Sequence, residues 1–293
     1  MQATIQEAEP DTGQHAPPIA SPWRASLALG FARRGDSTIL VRRDHSGPLR
    51  VQKALHPEGP QVCHAIVLHP PAGIAGGDQL DIRVEADAGA YALLTTPGAG
   101  KWYRSGGAQS SQRIHIKVGA GATVEWLPQE SILFSGALAD MRTTIELEAG
   151  ARFTGVETLC FGRRASGETF DRGSLRLATD IRCEGRLLWR ERGLIDGGSA
   201  LLDSPIGLAG FSVCSTLLAA GIELAPETLV ACRAAGSREA GAQCGVSLLP
   251  QLLVGRYLGH SAEAAREWLM QLWAALRPAI SGREAIAPRI WNT

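Results

Sequence analysis

Four side chains between residues 56 and 69, namely His56, Cys63, His64 and His69, carry imidazole or thiolate donors of the kind that bind zinc, nickel or copper. Their spacing works against a shared ion. On a strand, Cys63, Ala65, Val67 and His69 project from one face while His64 projects from the other. Packed or hydrogen-bonded core side chains are the favoured reading. The run His69-Pro70-Pro71-Ala72-Gly73-Ile74-Ala75-Gly76-Gly77-Asp78 offers a second chemistry, a cradle of backbone N–H groups around a phosphate. It lacks the G-x-x-x-x-G-K-[ST] order, and a period-two run follows where an anion-holding helix would begin. The stretch Thr95 to Lys101 is P-loop-like only at a glance. Both read first as turns whose glycines serve backbone geometry. Glu125, Glu130 and Glu157 are acid–base candidates near strand ends, but no pairing rule joins them. With no G-x-S-x-G elbow, no H-E-x-x-H and no nucleophilic cysteine context, the residues point away from an enzyme.

These groups must be positioned by strands. Leu27, Leu29 and Phe31 alternate along one face, Arg33 to Asp36 turns, and Thr38 to Arg42 returns, which predicts a hairpin. Ala65–Leu68 and Leu80–Ala86 are further alternating runs. The Gly-Ala pairs at 89–90, 121–122 and 150–151 align three segments about thirty residues apart. Before them stand Ile82/Val84/Ala86, Ile114/Ile116/Val118 and Thr143/Ile145/Leu147; after them stand Ala92, Val124 and Phe153. Each unit is thus a strand, a tight glycine turn and a second strand, and a looser copy is expected at Ile181 to Trp189. The fold class predicted is mainly β, a β-helix-like stack of strand-turn-strand units with a small α-helical part near the C-terminus. Ser261 caps an expected helix over 262–277, with Arg277 in its last turn and Pro278 as a stop. Trp268, Leu269, Leu272, Trp273 and Leu276 form its apolar stripe, read as core rather than as a docking face. Pro226–Ala235 is a shorter helix between strands expected at Phe211–Leu218 and Val246–Leu258.

The 293 residues carry 29 basic and 29 acidic side chains, so no global field favours nucleic acid or an anionic membrane. No apolar run reaches the roughly 18 residues that span a bilayer. Residues 1–20, polar and proline-rich, read as a disordered tail without signal-peptide features, ahead of a single β-rich domain over 21–293. The six scattered cysteines include no C-x-x-C pair, as expected of reduced thiols in a cytoplasmic protein.

In order along the chain, His69-Pro70-Pro71 to Gly76-Gly77-Asp78, Thr96-Pro97, Lys101, Tyr103-Arg104, Trp126-Leu127-Pro128-Gln129-Glu130 and Ile132-Leu133-Phe134 closely resemble the urease accessory protein UreD family, called UreH in some organisms. The resemblance extends to Gly47-Pro48-Leu49, Glu157, Gly162-Arg163 and the closing Pro-Arg-Ile-Trp. Three positions depart from its pattern: Ala72 where glycine is usual, Ser131 where threonine is usual, and Ser135 where an acidic residue commonly stands. The resemblance implies a non-enzymatic scaffold that binds apo-urease and UreF, reaches the GTPase UreG through UreF, and works in a dimeric assembly of heterocomplexes. It implies no tightly bound cofactor, with nickel only in transit. A polar internal path would serve that transit, with His69, Asp78 and Glu157 as transient nickel contacts and Gly76, Gly77, Lys101, Tyr103, Arg104, Glu130 and Arg163 shaping the path or its turns. The rival from another class is a carbohydrate-active enzyme on a β-solenoid, which would need carboxylates paired in a groove.

Overall fold

Glycine at the Gly-Ala pairs has a backbone cause. Gly89, Gly121 and Gly150 adopt φ of +67°, +63° and +66°, a left-handed conformation that costs other L-residues roughly 1–2 kcal/mol. Each corner bonds to the next: the Gly89 N–H donates to the Ala120 carbonyl at 2.9 Å and that of Gly121 to Ala149 at 3.0 Å. Stacked corners force the strands on either side of them into parallel ladders.

The computed structural model describes residues 22–292, so the tail expected over 1–20 lies outside the described residues. A hairpin of β1 (Arg24–Arg34) and β2 (Ser37–Ser46) leads to β3 (Arg50–Val51) and β4 (Cys63–Leu68). The coils then run β5 (Gly73–Ile74), β6 (Gln79–Ala86), β7 (Tyr91–Thr95), β8 (Gly100–Trp102), β9 (Ser110–Val118), β10 (Thr123–Leu127), β11 (Ser131–Leu133), β12 (Ala137–Leu147), β13 (Arg152–Phe161) and β14 (Gly173–Cys183). The chain finishes through β15 (Arg186–Asp196), α1 (Ala200–Asp203), β16 (Val213–Ala220), α2 (Pro226–Ala234), β17 (Gln243–Leu249), β18 (Leu252–Gly259) and α3 (Ala262–Ser281).

Two sheets form the walls of the solenoid. One has the order β15-β14-β12-β9-β6-β1-β2, and the other runs β17-β18-β16-β13-β10-β7-β4-β3. The short strands β5, β8 and β11 make a third side. Pairing is parallel within the coils and antiparallel at the ends, where β2, β15 and β16 reverse direction. Burial follows coverage. β6 alternates because its outer face meets water, whereas β10 is buried at every position because helix α3 covers the far side of its sheet. One apolar core fills the space between the sheets and a second lies beneath α3.

Three expectations need correction. The looser copy near Gly185 is no coil corner: β14 and β15 pair antiparallel there, with Glu184 and Gly185 both at positive φ, so the turn ends the stack. Val246–Leu258 is two strands, β17 and β18, reversing at Gln251 with φ +61°. Helix α3 runs past Pro278 to Ser281, where Gly282 at φ +67° closes it with an N–H bond to the Pro278 carbonyl. The proline fails as a stop because buried bonds from the neighbouring Arg277 hold that turn in place. The apolar stripe of α3 is buried, as expected of core.

Candidate functional site

Along the solenoid axis, the inner faces line a partly open cavity of about 530 Å³. Its lining includes Val67 and His69 at the first coil, Lys101 at the second, Gln129 at the third, Glu157 at the fourth, and Thr216 on β16 beyond it. From β4 to β16 this is four inter-strand steps, or roughly 19 Å. The middle is apolar, with Ile82, Ile114, Trp126, Met141 and Phe153. Register explains how polarity enters. The row Ile82–Ile114–Thr143–Thr179–Glu191 crosses β6, β9, β12, β14 and β15. From the opposite sheet, Glu157 sits beside Thr216, which sits beside Arg256.

The two ends differ in charge. At the first, His69 and Lys101 face the cavity, and burial pushes the His69 imidazole below its ordinary value despite the pull of Asp78. Burial thus favours the neutral imidazole, and its buried Nε2 has no hydrogen-bond partner among the described residues. At the other end, burial raises the Glu157 carboxyl to about 7; the Glu191 charge adds to the rise and Arg256 opposes it. Arg256 donates to Glu191 at 2.7 Å and to the Thr216 hydroxyl at 2.9 Å. Among the described residues no three His, Cys, Asp or Glu side chains converge on one point. His69 stands alone at one end and Glu157 beside Glu191 at the other, an arrangement able to contact an ion in passing.

The remaining sequence candidates build the wall. Both Asp78 oxygens accept backbone N–H bonds, from Trp23 and Ala75 at 2.8 Å each, so its carboxylate closes the Gly-rich turn outside the cavity lining. A Cβ on Gly76 would lie 2.5 Å from the Ser105 hydroxyl, and Gly77 has φ +92° with Pro22 packed against it. Tyr103 packs on Gly73 and meets Phe134 edge-on with ring centroids 5.1 Å apart. Arg163 lies over the Phe134 ring at 4.4 Å and pairs with Glu168 at 2.9 Å. Arg104 covers Gly136. The Glu130 side chain lines a small crevice against α3 rather than the cavity, while its carbonyl accepts the Gly100 N–H. Ser135, where an acidic residue was expected, donates to the Asp171 carboxylate.

Sequence reasoning missed Glu191, Arg256 and Thr179, because the pairs Thr179–Glu191 and Thr216–Arg256, on opposite sheets, become neighbours only once distant strands are in register. It also missed a buried charge cluster. Arg277, fully buried, binds Glu125 and Glu58; Glu125 also accepts from Trp273 and Tyr91, and Glu58 meets His64 at 2.6 Å. The cluster bolts α3 to the sheet. His64 thus pairs with a carboxylate, Cys63 is buried without forming a disulfide, and His56 bonds the Thr38 carbonyl.

A family model described as UreD urease accessory protein matches residues 24–292. The urease accessory protein UreD of Dechloromonas aromatica (strain RCB) is 54% identical over 284 residues, covering 94% of this chain and 98% of that protein. UreD of Azoarcus sp. (strain BH72) is 55% identical over 271 residues, covering 92% and 94%, and UreD of Pseudomonas fluorescens (strain Pf0-1) is 52% identical, covering 92% and 95%. With the match spanning both sheets, the cavity and helix α3, the chain belongs to the UreD urease accessory protein family.

Proposed function

We propose that this protein is a non-catalytic scaffold for nickel insertion, and that its axial cavity is the route nickel takes toward urease. In this reading it binds apo-urease and UreF, reaches UreG through UreF, and receives nickel released by GTP hydrolysis in that partner. The observation that carries the reading is the polarity of the cavity, with Lys101 at one end and Glu157 with Glu191 at the other. A divalent cation inside such a field is drawn away from the ammonium and toward the carboxylates. His69 offers a neutral nitrogen near the cationic end, and the row Thr143–Thr179–Glu191 supplies oxygen atoms along the second half. Donors spread along the cavity suit passage, whereas a closed ligand set would hold the ion. A wet path is required, since stripping an ion of water costs on the order of 20 kcal/mol even for a monovalent charge.

The test substitutes Glu157→Gln, which keeps shape and hydrogen bonding and removes the charge. In cells co-expressing urease and its accessory proteins, urease nickel content should fall about tenfold while the circular dichroism spectrum and melting temperature of the purified variant stay unchanged. Normal nickel content in a folded variant would remove Glu157 from the route. One observation speaks for the polysaccharide-enzyme alternative, because Glu157 and Glu191 do come together. They meet between two sheets rather than along an exposed groove, and Glu191 is tied to Arg256. Release of reducing sugar from polysaccharide by the wild type, lost in Glu157→Gln, would favour that alternative.

A further inference from the structure

At the acidic end of the cavity one side chain joins the two sheets. Arg256 does not line the cavity, yet it bonds two residues that do, Glu191 and Thr216. On its other side the guanidinium meets solvent: the Arg256 side chain is 41% exposed and that of Glu191 22%. The plane of the guanidinium group also faces Trp189, 6.0 Å from the ring centre.

The contact joins different sheets. Glu191 lies on β15, which ends its sheet and pairs only with β14, while Arg256 lies on β18 of the other sheet. Among the described residues no strand pairing joins the sheets on this side, and side chains do so instead. A half-exposed ion pair is held weakly against water and opens at little cost. It is also sensitive to any carboxylate that a docked partner brings to the guanidinium.

We propose that the Glu191–Arg256 pair is the gate of the acidic end, closed when the guanidinium bridges the two sheets and open when it swings toward solvent. Open, the Glu157 end communicates with the exterior and an ion can leave. Closed, Arg256 offsets one of the two carboxylate charges and keeps the cavity from emptying. This rests on the cavity being the nickel route only for its purpose, since opening is read independently of nickel.

The chain carries its own reporter. Cys214 lies on β16 two residues before Thr216 and therefore on the same inward face. Burial raises its thiol to about 11, Arg256 pulls the other way, and the Glu157 and Glu191 charges add to the rise. Removing Arg256 thus disfavours the reactive thiolate, and electrostatics alone would slow labelling. Opening the gate would speed it.

The full chain is labelled with a methanethiosulfonate reagent and modified cysteines are located by mass spectrometry, for the wild type, Arg256→Ala and Glu191→Gln. The gate predicts that Cys214 reacts at least about tenfold faster in both variants, with the buried Cys63, Cys160 and Cys232 unchanged and the exposed Cys244 equally fast throughout. Unchanged or slower labelling of Cys214 overturns it, as does acceleration of all buried cysteines together, which would mean general loosening. If Arg256→Ala does not fold, Arg256→Gln keeps a longer polar side chain and decides alone, because Glu191→Gln by itself lowers the Cys214 thiol and would speed labelling without any opening. A gate confirmed here alongside full nickel loading when Thr143→Trp fills the cavity would leave the gate standing and refute the route.

Discussion

Arg277 carries more of the stability than its place in the sequence suggests. At the end of an amphipathic helix an arginine reads as a complement to the helix dipole. Here it is buried and bonded to two carboxylates, Glu58 and Glu125, contributed by chain segments more than 150 residues away. Sequence could mark Glu125 as an acid–base candidate but not name its partner, because the contact exists only after α3 docks. Removing one member of a buried ion pair strands the others, so Arg277→Ala should cost roughly 3–5 kcal/mol, measured by chemical denaturation. Acid should act through the same cluster. Burial alone would raise the Glu58 carboxyl, but hydrogen bonds from His64 and Arg277 outweigh it and hold it at about 2, below its ordinary 4.5. The stabilisation from a depressed carboxylate is complete above its unfolded value and lost as pH falls through the folded one. Wild-type stability should therefore decline between about pH 4.5 and 2, and Glu58→Gln should flatten that part of the profile. An unchanged slope in the variant would assign acid sensitivity elsewhere.

At the level of elements, the coil corners were the most legible feature, because a left-handed residue every coil leaves glycine in the sequence at a fixed spacing. The same physics locates a weak corner. Ala72, standing where the family pattern has glycine, is held at φ +62°. Ala72→Gly should stabilise the protein by up to about 1 kcal/mol, the strain relieved less the entropy glycine adds to the unfolded chain. The reverse change at a good corner should do the opposite. Gly121 has open space where a Cβ would go, so Gly121→Ala should cost up to about 1 kcal/mol, the backbone strain less the entropy the alanine removes from the unfolded chain. Paired thermal melts of the two variants check both signs. Less legible were the ends of the stack: the hairpin at Glu184-Gly185 has the glycine of a corner, and only the reversal of β15 against β14 distinguishes it. The continuation of α3 through Pro278 was hidden for a similar reason, since tertiary bonds outweighed a local signal.

For the molecule as a whole, the cavity exists because a β-solenoid aligns one residue from each coil in a row, and the inner rows here change from isoleucine to threonine to glutamate along the axis. In the sequence those residues are separated by whole coils, so Thr143 read as part of an apolar face and Glu157 as a lone carboxylate. His69, Lys101 and Glu157 were picked out and do line one cavity, while Asp78, Tyr103, Arg104 and Arg163 proved to be its masonry. If nickel travels inside the protein, filling the middle of the cavity must stop it without disturbing the outer surface. Thr143→Trp places an indole there from the inner face of β12. The decisive measurement is the nickel content of urease, by elemental mass spectrometry, after co-expression with this variant and the other accessory proteins, with recovery of the assembled complex as control. The route through the cavity predicts that nickel loading falls about tenfold or more while the complex assembles in normal yield. Full loading with the cavity blocked and the complex intact would contradict it.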